Sequence, residues 1–188
     1  MSADQLTQVL TAIDTANAED PNLEDGQPAA LLYGKRMSAE LARLFPDAGE
    51  ALQIAARGQH VERWKLARSA YPEGRAGYLA WRKAQGQFHA GLVEALMKDA
   101  GYGAEDIEAA GHMLRKEGLK RDDQVQALED VICFVFLKWY FAPFAAKHTP
   151  EKIQRIVEKT ARKMSAEARA RVLQEFDLPA ELAQAFKA

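Results

Sequence analysis

Cysteine is nearly missing from this chain: among 188 residues, Cys133 is the single thiol. That excludes an internal disulfide and a zinc site built from cysteine pairs, and it sets the expectation of a reducing, cytoplasmic setting. Strand patterning is missing too, since no stretch alternates β-branched with polar residues and no Asn-Gly hairpin turn occurs. Charge of one sign is also absent. With 25 Lys and Arg against 27 Asp and Glu the net charge is -2, which gives no overall pull toward nucleic acid or an anionic membrane. Neither partner is expected, and any anion site must be local. The longest apolar run, VICFVFLKWYFAPFAA at residues 131–146, is interrupted by Lys138 and Pro143 and falls short of the ~20 apolar residues of a spanning helix. The N-terminus lacks the basic start and apolar core of a signal peptide.

Helical periodicity is what the chain does have. Leu6, Val9, Leu10 and Ile13 recur on one face of the first segment, and similar stripes return along the sequence,. The expectation is an all-α fold, a single domain over 1–188 with about eight helices packed around a buried central helix near 124–147. Pro21, Pro46, Pro72, Gly74, Gly77 and Gly118 punctuate it,. Asp25, Gly26 and Pro28 mark a loop, after which AALLYGKRMSAELARLF reads as helix, open to a break near Gly34 or a restart with Ser38 as cap,. The Thr149-Pro150 pair predicts a helix start, threonine as N-cap and proline at the first helical position. IDTANAEDPN, at residues 13–22, reads as a helix end leading into a turn.

Two segments between residues 52 and 96 stand out. At about 100° per residue, a helix over 52–68 puts Leu52, Ala55, Ala56, Leu66 and Ala67 inward, with Gln59, His60 and Arg63 on the same side. A second helix over 78–98 turns Tyr78, Trp81, Phe88, Leu92, Val93 and Leu96 inward, interleaved with Arg82, Gln85 and His89. Buried arginines and histidines require partners. An acid for them is expected from Glu129, which shares the face of Cys133, Phe136 and Tyr140, or from Asp130 beside Phe134 and Leu137.

Two imidazoles and a carboxylate suit a divalent metal such as zinc, manganese, iron or nickel, which makes His60, His89, Glu129 and Asp130 the candidate ligands. Arg63 and Arg82 would then hold a phosphoryl or carboxylate group and, with Glu129, carry catalysis. Gln59, Gln85, Arg75 in the connector and Lys163 are candidates for substrate contact. The expected activity is metal-dependent hydrolysis of a small phosphorylated metabolite or nucleotide. Two alternatives stay open: a metal-free domain that binds a small anion, and a structural or partner-binding bundle whose buried Arg63–Glu129 or Arg82–Asp130 pairs only fix packing. His112 and His148 are expected in solvent, and Trp64, Trp81 and Trp139 in packing.

IDTANAEDPN, Arg36-Met37, AARGQHVERW, YPEGRAGYLAWR, FHAGLV, LEDVICFVFL and KTARKMS, spread from Ile13 to Ser165, resemble the family called domain of unknown function 4202. That resemblance implies a stand-alone helical domain and brings no activity with it. A more distant likeness is to the HD-domain phosphohydrolases, all-helical enzymes with a metal held by a histidine, a His-Asp dipeptide and a later aspartate. It implies His60 for the first ligand and Glu129 or Asp130 for the last. His89 is followed by Ala90, so the dipeptide is missing.

Overall fold

The computed structural model describes residues 3–187. Among them the chain is all-α, with ten α-helices, short 3-10 turns and one minimal β ladder. It divides into two compact units, Met1–Glu117 and Gly118–Ala188.

The first unit opens with α1 (Ala3–Asn17), whose Val9 and Ile13 are fully buried. A two-residue antiparallel ladder follows, Leu23 facing Pro28 and Glu24 facing Gln27. Asp25 and Gly26 close it, both with positive φ, the backbone that a two-residue Asp-Gly hairpin turn requires. The stretch expected to be plain loop therefore holds a hairpin. Asp20 fixes what comes next: its Oδ1 accepts from the Asn22 backbone and side chain, and its Oδ2 accepts the Ala30 N–H at 2.9 Å. That bond satisfies one of the unpaired donors in the first turn of α2 (Ala29–Leu44),.

The helix read over this stretch is unbroken at Gly34. α2 runs straight through it, and a Cβ there would lie 3.0 Å from the Arg57 carbonyl oxygen. The glycine serves a close helix crossing, so its low helical propensity is outweighed by packing. α3 (Glu50–Gly58) packs against α1, α2, α4 (Gly74–Asp99) and α5 (Ala104–Arg115) and is the hub of the unit. Ile54, Ala55 and Ala56 of α3, Val93 and Met97 of α4, and Met113 of α5 are nearly or wholly excluded from solvent.

The helix expected over 52–68 ends at Gly58 instead. Residues 59–62 form a tight turn, and short 3-10 turns follow at Arg63–Lys65 and Arg68–Ala70. Leu66 is only partly covered and Ala67 is exposed. Tyr78, expected inside, is 47% exposed; the buried stripe of α4 is Gly77, Gln85, His89, Ala90, Val93 and Met97.

In the second unit, Asp122 caps α6 (Asp123–Val135) by accepting from the Gln124 and Val125 N–H groups. The central helix expected near 124–147 comprises α6, a π-helical turn at Phe136–Tyr140 and α7 (Phe141–Ala145). Pro143 lies just beyond that turn. It has no N–H to give and its ring crowds the carbonyl four residues back, so the wider turn relieves the helix where it would otherwise break. Thr149 and Pro150 open α8 (Pro150–Lys163) as their residue types predict, and Ser165 caps α9 (Ala166–Glu175) before the short α10 (Ala180–Ala183). No helix among the described residues is long and apolar enough to cross a membrane.

Candidate functional site

The candidate site of the first unit is built on the turn after α3 and on one stripe of α4. Glu62 adopts a left-handed backbone, φ 49° and ψ 31°, a conformation that costs a side-chain-bearing residue roughly 1–2 kcal/mol. Its N–H is held by Asn17 Oδ1 at 2.9 Å from the end of α1. Downstream, Gln85 Nε2 donates to the carbonyls of Arg63 (3.3 Å) and Leu66 (2.9 Å), and Trp81 Nε1 also donates to Leu66 O at 2.9 Å. The His89 imidazole lies against the Gln59 backbone. Three side chains thus replace helical hydrogen bonds that periodicity alone would assign to residues 59–66, and this explains why the helix stops.

The turn places His60 face to face with Tyr33 of α2, ring centroids 3.7 Å apart and planes within 12°. His60 and His89 are neighbours, with centroids 6.2 Å apart. Arg63 lies with its guanidinium carbon 4.8 Å from the Trp81 ring centroid, a cation–π contact,. Arg82 is close enough for its charge to act on His60, His89 and Arg63.

The electrostatics are one-sided. Solvent exclusion and then the charge of Arg63, followed by His89, Arg82 and Lys116, hold the His60 imidazole well below its ordinary range. Burial, then Arg63 and Arg82, bring His89 down to about 3 against the pull of the Gln59 backbone. Arg63 itself is pushed down to about 10, by burial first and Arg82 second. Both imidazoles are neutral at neutral pH. Among the described residues of the first unit no carboxylate forms an ion pair with the Arg63 or Arg82 guanidinium.

Of the residues singled out in the sequence, Gln59, His60, Arg63, Arg82, Gln85 and His89 are brought together here. Their route differs from the expected one. Gln59, His60 and Arg63 sit on a turn, not on a helical stripe. Arg75 is exposed in the first turn of α4.

Glu129, Asp130 and Lys163 belong to the second unit. Glu129 is nearly solvent-free, with Lys163 Nζ 3.5 Å from its Oε1. Burial raises the Asp130 carboxyl above the ordinary aspartate range, and bonds from Ser165 and Gln126 oppose that shift. Its Oδ1 accepts the Ser165 N–H at 2.8 Å and Gln126 Nε2 at 3.0 Å, which ties α6 to the junction of α8 and α9.

Tyr33 and Lys116 escape the sequence reading, and Asn17 enters it only as part of a helix end. Tyr33 was detectable in principle, since it precedes Met37 and Leu41 at four-residue spacing and so shares their buried stripe. No local pattern signals Asn17, whose partner lies 45 positions away, or Lys116.

A family model, Domain of unknown function (DUF4202), matches residues 7–185. The chain belongs to that family. Both halves of the candidate site fall within the DUF4202 match, AARGQHVERW supplying the turn and YPEGRAGYLAWR with FHAGLV supplying α4. No curated protein matches the chain, and no solved structure does.

Proposed function

We propose that the first unit of this DUF4202 protein binds a small anionic metabolite, a phosphorylated compound or a nucleotide, without needing a metal. One observation carries the reading: Arg63 and Arg82 stand beside two neutral imidazoles, with Lys116 adding its charge, and among the described residues of that unit no carboxylate forms an ion pair with either guanidinium. Half-buried guanidiniums without a counter-charge are costly, and an anionic ligand supplies the missing charge,. The arginine fork fits the oxygens of a phosphate, and exclusion of water strengthens each contact.

The metal-dependent hydrolase expected from the sequence, with its HD-domain likeness, finds less support. In the first unit His60 and His89 are two ligands where catalytic sites use three or more, and among the described residues no group of three His, Cys, Asp or Glu is arranged to hold a metal. The neighbouring cations oppose a dication as well.

Thermal melting of the purified chain against inorganic phosphate and AMP tests the proposal. A ligand at one hundred times its Kd stabilises by ~2.7 kcal/mol, a rise of several degrees that Arg63→Ala or Arg82→Ala should remove. A rise that survives both substitutions would place the anion elsewhere. Metal analysis of protein prepared without chelator covers the other reading: bound zinc, manganese, iron or nickel that is lost in His60→Ala and His89→Ala would restore it.

A further inference from the structure

Among the described residues of the first unit, six buried side-chain atoms make no hydrogen bond. Two of them, Arg57 Nε and Asp14 Oδ1, face each other as an ion pair at 2.9 Å. The remaining four are Asn17 Nδ2, Gln59 Oε1, Gln85 Oε1 and His89 Nε2, on residues that are 0%, 6%, 2% and 3% exposed. All four belong to residues that form or grip the same turn. Asn17 holds Glu62, Gln85 holds Arg63 and Leu66, Gln59 is part of the turn, and His89 lies against the Gln59 backbone. Buried polar atoms are nearly always paired, so this concentration around one turn points to a partner that is not part of the fold.

Gln59 Oε1 and Gln85 Oε1 are hydrogen-bond acceptors, and the Gln85 amide has its orientation fixed. Gln85 Nε2 already donates to two carbonyls, so reversing the amide would set its oxygen against both,. His89 Nε2 is unpaired, and an imidazole nitrogen can bond a hydroxyl in either tautomer,. A bare phosphate dianion offers no proton to the two amide oxygens and would add acceptors to acceptors. Gln85 and His89 lie four residues apart on α4, hence one turn apart on one face, with Cβ atoms ~6 Å from each other. That spacing suits two hydroxyls on one small molecule.

We infer that the ligand is a phosphate ester carrying free hydroxyl groups, with its anion on Arg63 and Arg82 and its hydroxyls bonded to Gln85 Oε1 and His89 Nε2. This rests on the anion-binding reading above and narrows it. A free sugar phosphate and the ribose phosphate of a nucleotide share that chemistry.

Calorimetric titration of the full chain with methyl phosphate, ribose 5-phosphate and AMP tests it. Ribose 5-phosphate should bind at least tenfold more tightly than methyl phosphate. AMP equal to ribose 5-phosphate identifies the sugar as the recognised group, and AMP tighter still adds recognition of the base; either result supports the inference. His89→Phe and Gln85→Leu should each bring the affinity ratio of ribose 5-phosphate to methyl phosphate down toward one, whereas a purely structural role, acting through the turn that carries Arg63, would weaken both ligands alike and leave the ratio unchanged. Should either variant fold poorly, the ligand series on the unaltered chain decides alone. Methyl phosphate binding as tightly as ribose 5-phosphate would overturn the inference and leave the anion site standing. No binding of any of the three would overturn the anion reading, and the inference with it.

Discussion

Asn17 Oδ1 accepts the Glu62 N–H at 2.9 Å, joining the end of α1 to a left-handed residue that lies between His60 and Arg63. A single buried amide therefore secures the backbone strain on which the placement of both side chains depends. Asn17→Ala should lower stability by ~1–3 kcal/mol, the usual cost of a buried hydrogen bond left half made. Glu62→Gly removes the steric penalty of positive φ and should offset up to ~1 kcal/mol of that loss. Urea denaturation of the two single variants and the double variant checks both. An Asn17→Ala protein as stable as the parent would show that the turn is held by other means.

Anion binding should separate charge from geometry at Arg63. Arg63→Lys keeps a cation and forfeits the planar fork and its stacking on Trp81,. We expect a loss of about tenfold in affinity for ribose 5-phosphate, roughly 1.4 kcal/mol, and a larger loss for Arg63→Ala. Titration calorimetry reads both values, and equal affinity of Arg63→Lys and the parent would remove bidentate contact from the account.

Acid should destabilise the first unit before its carboxylates titrate. His60 and His89 have folded-state pKa values below the ordinary 6.5, His89 at about 3. Above pH 6.5 they impose no penalty on folding. As pH falls below 6.5 the unfolded chain takes up protons that the folded chain refuses, and stability drops progressively toward pH 3 by up to ~1.4 kcal/mol per unit for each histidine. Comparing denaturation midpoints at pH 7.5 and 5.5 for the parent and for His89→Phe measures the His89 share. An identical pH dependence in the two proteins would refute it.

The crossing of α3 and α4 should resist even one methyl group. A Cβ at Gly58 would lie 2.6 Å from Val93 Cγ2, closer than any unstrained contact. Gly58→Ala is expected to cost ~1–3 kcal/mol despite its better helix propensity. Val93→Ala in the same chain should recover part of that loss, and thermal melting of the pair provides the measurement.

In the second unit, Asp130→Ala leaves the Ser165 N–H and Gln126 Nε2 without their acceptor. A loss of roughly 2–4 kcal/mol is expected. Hydrogen exchange should show the start of α9 losing protection first, and uniform loss across the unit would count against a local tie.

The all-α architecture was legible because apolar spacing near 3.6 repeats in segment after segment and is stopped by proline and glycine. The Thr149-Pro150 start was legible for a related reason: both residue types act within one turn of themselves. The site was legible in membership more than in construction. Gln59, His60 and Arg63 were found by extending a helical period past Gly58, where the chain has already left the helix. The reasons it leaves lie far away in sequence, in Asn17, Trp81 and Gln85, and no local pattern contains them. Asp25-Gly26 does form a turn, and the two-residue ladder it closes is too short to show any alternation. The acid expected from Glu129 or Asp130 was inferred from burial alone, and burial does not name a partner: Asp130 bonds to Ser165 and Gln126, while Lys163 stands beside Glu129.

Trp81 offers an optical handle on all of this. Its indole carries the Arg63 guanidinium on one ring face and is anchored through Nε1 to the Leu66 carbonyl. Any compound that draws Arg63 away strips a positive charge from a chromophore that itself stays fixed, so emission colour should shift while anisotropy does not. With Trp64 and Trp139 replaced by phenylalanine, the protein would become its own fluorescent indicator and allow a blind screen of metabolite libraries.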